Sequence, residues 1–493
     1  MSSFWKKVLG PDWRGILAVL AVLPAPLTVG LSTGFTAPTI DTMRNTVLDP
    51  NGKHIDIGSQ SSYYVFDDPM EASFFSAALS LGALAGTLSS GPITEFTGRR
   101  LALLIAAPLE MAPYLMIALG SSPVLLIIAR IIAGVSMGVC SFVCSVYIGE
   151  MAPTRFRGLF GACTQLMMGL GILLIYIFGA ACRTQAGSID SLASTSTFCN
   201  WRLVAYLCLI PGGILFITMF LAPETPRWLA TRGKLDEAEA TLRKIRGIDA
   251  GDHKEEYIDD ELNALVAVSD ARTSCNSKSD IRTRFKVLLS CPKQLIICTM
   301  NMAFTQFSGI NALTFFQTTI FEMAGLKNSD VLAITVRVVS TLANFPALYL
   351  VDRLGRRPLI ISSAAGMCLS QFLMGLFFYL DRNGDAHNLG WLALIASYGY
   401  QFTYSWGVGP IRWMLASELF PDEARGLASA ATTTVNWVCA FIFILFLDSV
   451  VQATSMQAAF WFFSCVGAVM TVFEYFMVPE TKGKTLEEIQ KMF

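Results

Sequence analysis

Twelve long apolar runs divide the chain, and no other feature restricts its fold so strongly. They cover roughly residues 14–40, 72–93, 100–120, 123–149, 158–181, 202–222, 293–322, 330–351, 358–380, 389–418, 426–448 and 456–478. Crossing hydrocarbon takes about 20 mostly apolar residues. Inside lipid each segment must satisfy its own backbone, so runs of this length read as helices. The expected fold is an all-α membrane protein with twelve transmembrane helices. Composition agrees: 53% of the 493 residues are hydrophobic and 15% charged, against about 25% charged in a soluble domain. The bilayer is therefore a partner. A net charge of −1 offers no basic field for nucleic acid, and none is expected as a partner. The first run, from Ile16 through Pro24 to Ile40, exceeds a signal-peptide core and lacks a small-residue cleavage pattern.

Basic residues orient the spans. Lys6, Lys7 and Arg14 precede the first run; Arg99, Arg100, Arg155, Arg157, Arg353, Arg356, Arg357 and Arg425 fall in alternate connections, all on one side. That side reads as cytoplasmic and holds both termini. The acidic segment 41–71 faces out, and the polar segment 223–292 faces in. Within it, "KLDEAEATLRKIR" (234–246) has an apolar stripe at helical spacing, and "SDARTSCNSKSD" (269–280) reads as loop. Cys182 and Cys199 lie in one outer loop, where they could pair in an oxidising compartment or stay as thiols. His54, His253 and His387 all fall in polar segments, which excludes an intramembrane histidine relay. No Cys/His grouping has metal spacing and no nucleophile–base cluster appears, so neither a cofactor nor enzymatic chemistry is expected.

Three motifs occur twice. "GPITEFTGRR" (91–100) matches "LVDRLGRR" (350–357), "EMAPTRFRG" (150–158) matches "ELFPDEARG" (418–426), and "PETPRWL" (223–229) matches "PETKGKTL" (479–486). Each follows the second, fourth or sixth span of its half. Three pairs in register indicate two homologous six-helix bundles. The expected division is 1–222, a linker 223–292, a second bundle 293–479 and a tail 480–493. The repeated charges Glu95, Arg99, Arg100, Glu150, Arg157 and Glu224, with Asp352, Arg356, Arg357, Glu418, Arg425 and Glu480, sit at helix ends on the basic side. There they could pair across helices and between bundles, forming a salt-bridge switch that closes the inner face.

With "RIIAGVSMG" (130–138), "QLMMGLG" (165–171), "QFSGIN" (306–311) and "GVGPIRW" (407–413), the chain resembles a sugar porter of the major facilitator superfamily over nearly its whole length. "GLSTGFTAPTI" (30–40) is similar to the branch of class III facilitative glucose transporters, insect trehalose transporters and plant early-dehydration-type carriers. The resemblance implies the major facilitator fold, alternating access, and a sugar, taken as a hexose, bound within the membrane by a protein functional as a monomer. The plasma membrane is the default location.

Buried amides need hydrogen-bond partners, and sugar hydroxyls supply both donors and acceptors. Gln306 and Asn311 are five residues apart, so a regular helix would separate them by about 140°. A break near Ser308–Gly309 would let both face one cavity. By resemblance, Gln165, Gln306, Asn311, Trp413 and Asn436 match sugar-contacting positions. Thr305 stands where Gln is usual, Ser340 where Asn is, Phe315 and Phe316 where gating tyrosines occur, and Arg412 where Pro precedes the Trp. A permanent cation there could serve an anionic solute, pair locally or point away.

Symporters resembling the bacterial xylose carrier hold Asp where this chain has Ser32, so facilitative uniport is the primary expectation and proton symport the alternative. Glu110, Arg130, Arg337 and Glu474 remain as intramembrane ionisable residues. Glu110 and Arg130 could exchange a proton or form a buried structural ion pair. A non-transporting sugar sensor is less favoured, since the chain ends soon after "PETKGKTLEEI".

Overall fold

In the structure, a computed structural model, the described residues are 13–43, 46–48, 54–56, 65–153, 157–184, 201–246, 261, 286–326, 328–383, 389–482, 484, 488–489 and 492–493. All twelve runs are helical. The first is bent into α1 (Trp13–Val22), α2 (Pro24–Gly34) and α3 (Thr36–Met43), because Pro24 removes a backbone donor and restarts the helix at its own N-terminus. Next come α4 (Pro69–Thr97), α5 (Arg99–Leu119), α6 (Pro123–Met151), α7 (Arg157–Thr184) and α8 (Trp201–Leu221). Asp68 caps α4 by accepting from the Met70 N–H at 3.0 Å. The short helices α9 (Pro226–Thr231) and α10 (Leu235–Arg246) follow on the basic side, α10 where the apolar stripe placed it. Residues 262–285 and Cys199 lie outside the described residues, so the loop at 269–280 and the Cys182–Cys199 pairing do as well.

The seventh run is broken into α11 (Pro292–Phe307), α12 (Ile310–Phe315) and α13 (Gln317–Met323). Then come α14 (Ser329–Leu354) and α15 (Arg356–Arg382). The tenth run, which its composition presents as one span, is two helices: α16 (Gly390–Trp406) and α17 (Val408–Glu418), parted at Gly407. The last spans are α18 (Asp422–Ala453) and α19 (Met456–Met477). Among the described residues, nine helices are long and apolar enough to cross a membrane unaided. The seventh and tenth runs are not among them because they are broken. One departure from helix is an antiparallel ribbon in the acidic segment, Thr46–Leu48 against His54–Asp56.

The first six spans meet the last six along two seams, α4 against α18 and α7 against α14. The seams differ from end to end. At the acidic-segment end one apolar cluster runs from Phe316, Phe377 and Phe463 into first-half residues Phe35, Phe75 and Tyr176. At the basic end the first half has a separate cluster of its own, including Val19, Cys140, Met151 and Leu215.

Candidate substrate-binding site

The break in the seventh run organises the site. α11 stops at Ser308, Gly309 takes a left-handed conformation (φ +90°), and α12 starts at Ile310. The free Ser308 carbonyl is not abandoned: Gln371 Nε2 donates to it at 2.9 Å and Tyr400 Oη lies at 3.3 Å. Ser308 Oγ and Tyr400 Oη are 3.0 Å apart. Such satisfaction is what permits non-helical backbone at membrane depth.

The break brings the amides together. Asn311 Nδ2 donates to Gln306 Oε1 at 2.6 Å, and Gln306 Nε2 donates to Asn436 Oδ1 at 2.7 Å. Arg412 joins the same oxygen, with Nη1 at 3.4 Å, while its Nη2 reaches Tyr404 Oη at 3.2 Å. The guanidinium lies 5.2 Å from the Trp413 ring centroid and 6.0 Å from that of Tyr404. Five sequence-selected residues, Gln306, Asn311, Arg412, Trp413 and Asn436, thus form one constellation from three spans. Tyr404, not singled out in the sequence, belongs to it; its spacing of four from Tyr400 on α16 was the available signal.

Other selected residues stand apart. Thr305 is fully buried and donates to Asn301 O in its own helix, 2.7 Å away. Ser340 Oγ meets Ser405 Oγ at 3.0 Å. Phe315 and Phe316 are buried on the acidic-end side of the break, where Phe316, Asp448 and Phe463 line a void of about 30 Å³, too small for a sugar. A larger cavity of about 340 Å³ lies between α7 and α14 and is almost wholly apolar; the amides do not line it. Gln165 is exposed, and no hydrogen bond ties it to the amide group among the described residues. On α7 it shares a face with Gly169, Ile172 and Tyr176. That face is buried at Tyr176, whose hydroxyl donates to Thr314 O of α12 at 2.7 Å, and open at Gln165.

The acidic end is bonded shut between halves. Arg337 Nη2, held by Leu313 O of its own half at 3.0 Å, donates across to Tyr176 Oη at 3.3 Å, and Ser73 Oγ donates to Asp448 Oδ2 at 3.1 Å. At the basic end Ser141, Ser145 and Gln165 are exposed on otherwise apolar helices.

The sequence matches the family described as "Sugar (and other) transporter" over residues 17–493. The chain belongs to this family. Two relatives are the "Facilitated trehalose transporter Tret1" proteins of Drosophila mojavensis and Polypedilum vanderplanki. The first is 33% identical over 97% of this chain and 51% of the relative. The second is 32% identical over 97% of this chain and 87% of the relative. The chain spans about half the length of the Drosophila relatives it matches. Among solved structures, the proton:xylose symporter XylE bound to 6-bromo-6-deoxy-D-glucose matches with 26% identity and TM-score 0.73, covering 97% of this chain and 99% of that one. XylE from E. coli in an inward open conformation matches with 25% identity and TM-score 0.76, covering 96% and 99%. The fold is therefore the twelve-helix major facilitator fold, and the protein is a multi-pass membrane protein of a transporter family rather than an enzyme.

The family's repeated charges are laid out in parallel. Arg99 Nη2 pairs with Glu150 Oε1 at 3.0 Å, and Arg356 Nη2 with Glu418 Oε1 at 3.2 Å. Glu224 Oε1 accepts the Arg99 N–H at 3.0 Å; Glu480 Oε1 accepts the Arg356 N–H at 3.0 Å. Each carboxylate thus caps the N-terminus of a neighbouring span, where free N–H groups and the helix dipole favour an anion. Burial pushes the Glu224 carboxyl above the usual range, and its backbone donors pull it back. The glycine before each helix, Gly98 (φ +92°) and Gly355 (φ +95°), admits the carboxylate: a Cβ would sit 2.4 Å from Glu224 Oε2 and 2.5 Å from Glu480 Oε2. Where the sequence allowed pairing between bundles, both of these pairs lie within one half. Arg425 reaches the Phe420 carbonyl at 3.4 Å, and Glu95 is exposed. Arg100 and Arg357 donate to the carbonyls of Phe220 and Tyr475, each at 2.6 Å. The side chains of Arg157 and Asp352 lie outside the described residues.

Glu110 and Arg130 do not form the direct ion pair considered from the sequence. Ser32 stands between them, donating to Glu110 Oε1 at 2.5 Å while its carbonyl accepts from Arg130 Nη1 at 3.1 Å. Arg130 also reaches Thr36 Oγ1 at 2.5 Å, so it bridges the α2–α3 bend, between the rings of Phe35 and Phe75. Glu474 is buried, and among the described residues neither of its carboxylate oxygens is hydrogen-bonded.

Proposed function

We propose that the chain carries a sugar by alternating access, as a facilitative uniporter. The observation that carries this reading is the amide chain Asn311–Gln306–Asn436 at a helix break in mid-membrane, beside the aromatic face of Trp413. Amides exchange donors and acceptors with hydroxyls, and each bond gains only about 0.5–1.5 kcal/mol net, weak enough for fast release. Bundles 1–222 and 293–479, joined by the linker 223–292 and followed by the tail 480–493, rock about this site. The bonded acidic end and the exposed Ser141, Ser145 and Gln165 toward the basic end support an inward-open state, the state named for one XylE structure. The clamps at Glu150 and Glu418 act as the cytoplasmic switch, and Gln165 completes the site when the bundles close. Both termini are cytoplasmic, the plasma membrane is the location, and the monomer is the working unit. Hexose remains the reading from sequence; the relatives' names support the disaccharide trehalose as its rival.

The test is counterflow by purified protein in proteoliposomes over hexoses, trehalose, polyols and sugar acids. Exchange of a sugar is expected; exchange of none overturns the carrier reading in favour of a sensor. A proton-coupled mode is favoured by one observation, the buried Glu110 carboxylate whose Oε2 accepts no hydrogen bond among the described residues. Uniport predicts that an inward proton gradient produces no accumulation above equilibrium, and accumulation decides for symport.

A further inference from the structure

We infer that the substrate selected by this amide site carries a carboxylate, a sugar acid rather than a neutral sugar, and that Arg412 binds it. This rests on the sugar-carrier reading. A guanidinium stays charged at any working pH, and burying it without a counter-charge is costly. Arg412 is 8% exposed. Among the described residues no carboxylate pairs with it: its hydrogen bonds are those to Asn436 and Tyr404, at 3.4 and 3.2 Å, and Nε has none. Those bonds are long against the 2.7–2.9 Å typical of charge-assisted ones. The rings of Tyr404 and Trp413 compensate part of the charge.

Arg130 and Arg337, also buried in the membrane region, likewise leave Nε unpaired among the described residues, but each makes a shorter hydrogen bond. Arg130 donates to the Ser32 carbonyl at 3.1 Å, and the Ser32 hydroxyl donates to Glu110. Arg337 holds the Leu313 carbonyl at 3.0 Å and closes a contact between halves. Arg412 instead ends a hydrogen-bond chain that runs Asn311, Gln306, Asn436, and it shares the Asn436 oxygen with Gln306. A ring whose hydroxyls replace the bonds between Gln306 and Asn311 places a carboxylate substituent beside the guanidinium. There the planar fork and the carboxylate match in geometry. A free anion, such as chloride or acetate, could also meet a guanidinium. The position of Arg412 within the amide constellation assigns the carboxylate to the sugar itself.

The test is counterflow of labelled D-glucuronate and D-galacturonate against D-glucose and D-galactose by the full-length chain in proteoliposomes. Each acid is expected to half-saturate at a concentration at least tenfold below its parent hexose, equivalent to ~1.4 kcal/mol. Arg412→Gln should shrink that ratio about tenfold, and Arg412→Lys should restore part of it. Exchange of hexoses with no exchange or competition by the acids overturns the inference and leaves the carrier reading standing. So does a ratio unchanged in Arg412→Gln. Strengthening of glucose exchange by acetate or chloride, without preference for the acids, assigns the guanidinium to a free anion and also overturns it. Exchange of neither class removes the carrier reading itself. The wild-type ratio decides the matter even if both variants fail to fold.

Discussion

Asn311 and Gln306, which a continuous helix would turn well apart, are hydrogen-bonded at 2.6 Å because Gly309 reverses the backbone between them. Gln306 passes the contact on to Asn436 from another span, so the three amides act as one unit. Gln306→Ala, Asn311→Ala and Asn436→Ala are each expected to weaken sugar binding by roughly 3–10-fold, the value of one or two net hydrogen bonds. The double variant Gln306→Ala/Asn436→Ala should lose less than the product of the singles, because the two share a bond. Equilibrium binding on purified protein checks both statements, with the thermal midpoint confirming that the variants are folded.

Gly309→Ala should damage the break directly. A Cβ there would lie 2.5 Å from Gln371 Nε2 and 2.8 Å from Phe463 Cδ2, on a backbone with φ +90°. Strain at such a position costs about 1–3 kcal/mol. The expected result is a lower thermal midpoint in detergent together with weaker sugar binding.

Gly98→Ala and Gly355→Ala should fail alike, since each added methyl meets the carboxylate of Glu224 or Glu480. Both are expected to lose similar amounts of stability, on the order of 1–3 kcal/mol, and so to show similar drops in thermal midpoint. A large effect of one and none of the other, in denaturation in detergent, contradicts the equivalence of the two clamps.

Tyr176→Phe removes the hydroxyl that donates to Thr314 O and accepts from Arg337. Losing a hydrogen bond of about 1 kcal/mol should raise the ratio of outer-open to outer-closed molecules roughly fivefold. Spin-label distances between the acidic-end tips of α4 and α18 measure this ratio.

The apolar runs made twelve helices legible because hydrocarbon leaves the backbone few options. The break at Gly309 was legible because two amides five residues apart had no other way to share a cavity. The second break, at Gly407, was not: apart from Ser405 and Arg412, "SWGVGPIRW" holds only apolar and small residues, and the freed Val408 N–H is accepted by Ser363 of another span at 3.0 Å. Tertiary bonds of that kind leave no periodicity. The same holds for Tyr176 and Arg337, 161 residues apart in sequence. Arg412 was visible as a departure from pattern, but its lack of a carboxylate partner could be seen only in three dimensions. Thr305 shows the reverse limit, for its place in a motif suggested a ligand and its hydroxyl is spent on its own helix.

Glu224 and Glu480 each tie the tail of a sixth span to the head of a third. Each half is thereby hooped at its basic rim, like a barrel whose staves cannot splay. Rocking cannot be accommodated by loosening such a rim, so the deformation falls on the interrupted helices at Phe35, Gly309 and Gly407. Turnover speed is then a property of three hinges, and substitutions there should change how fast the carrier cycles as well as how long it survives heating.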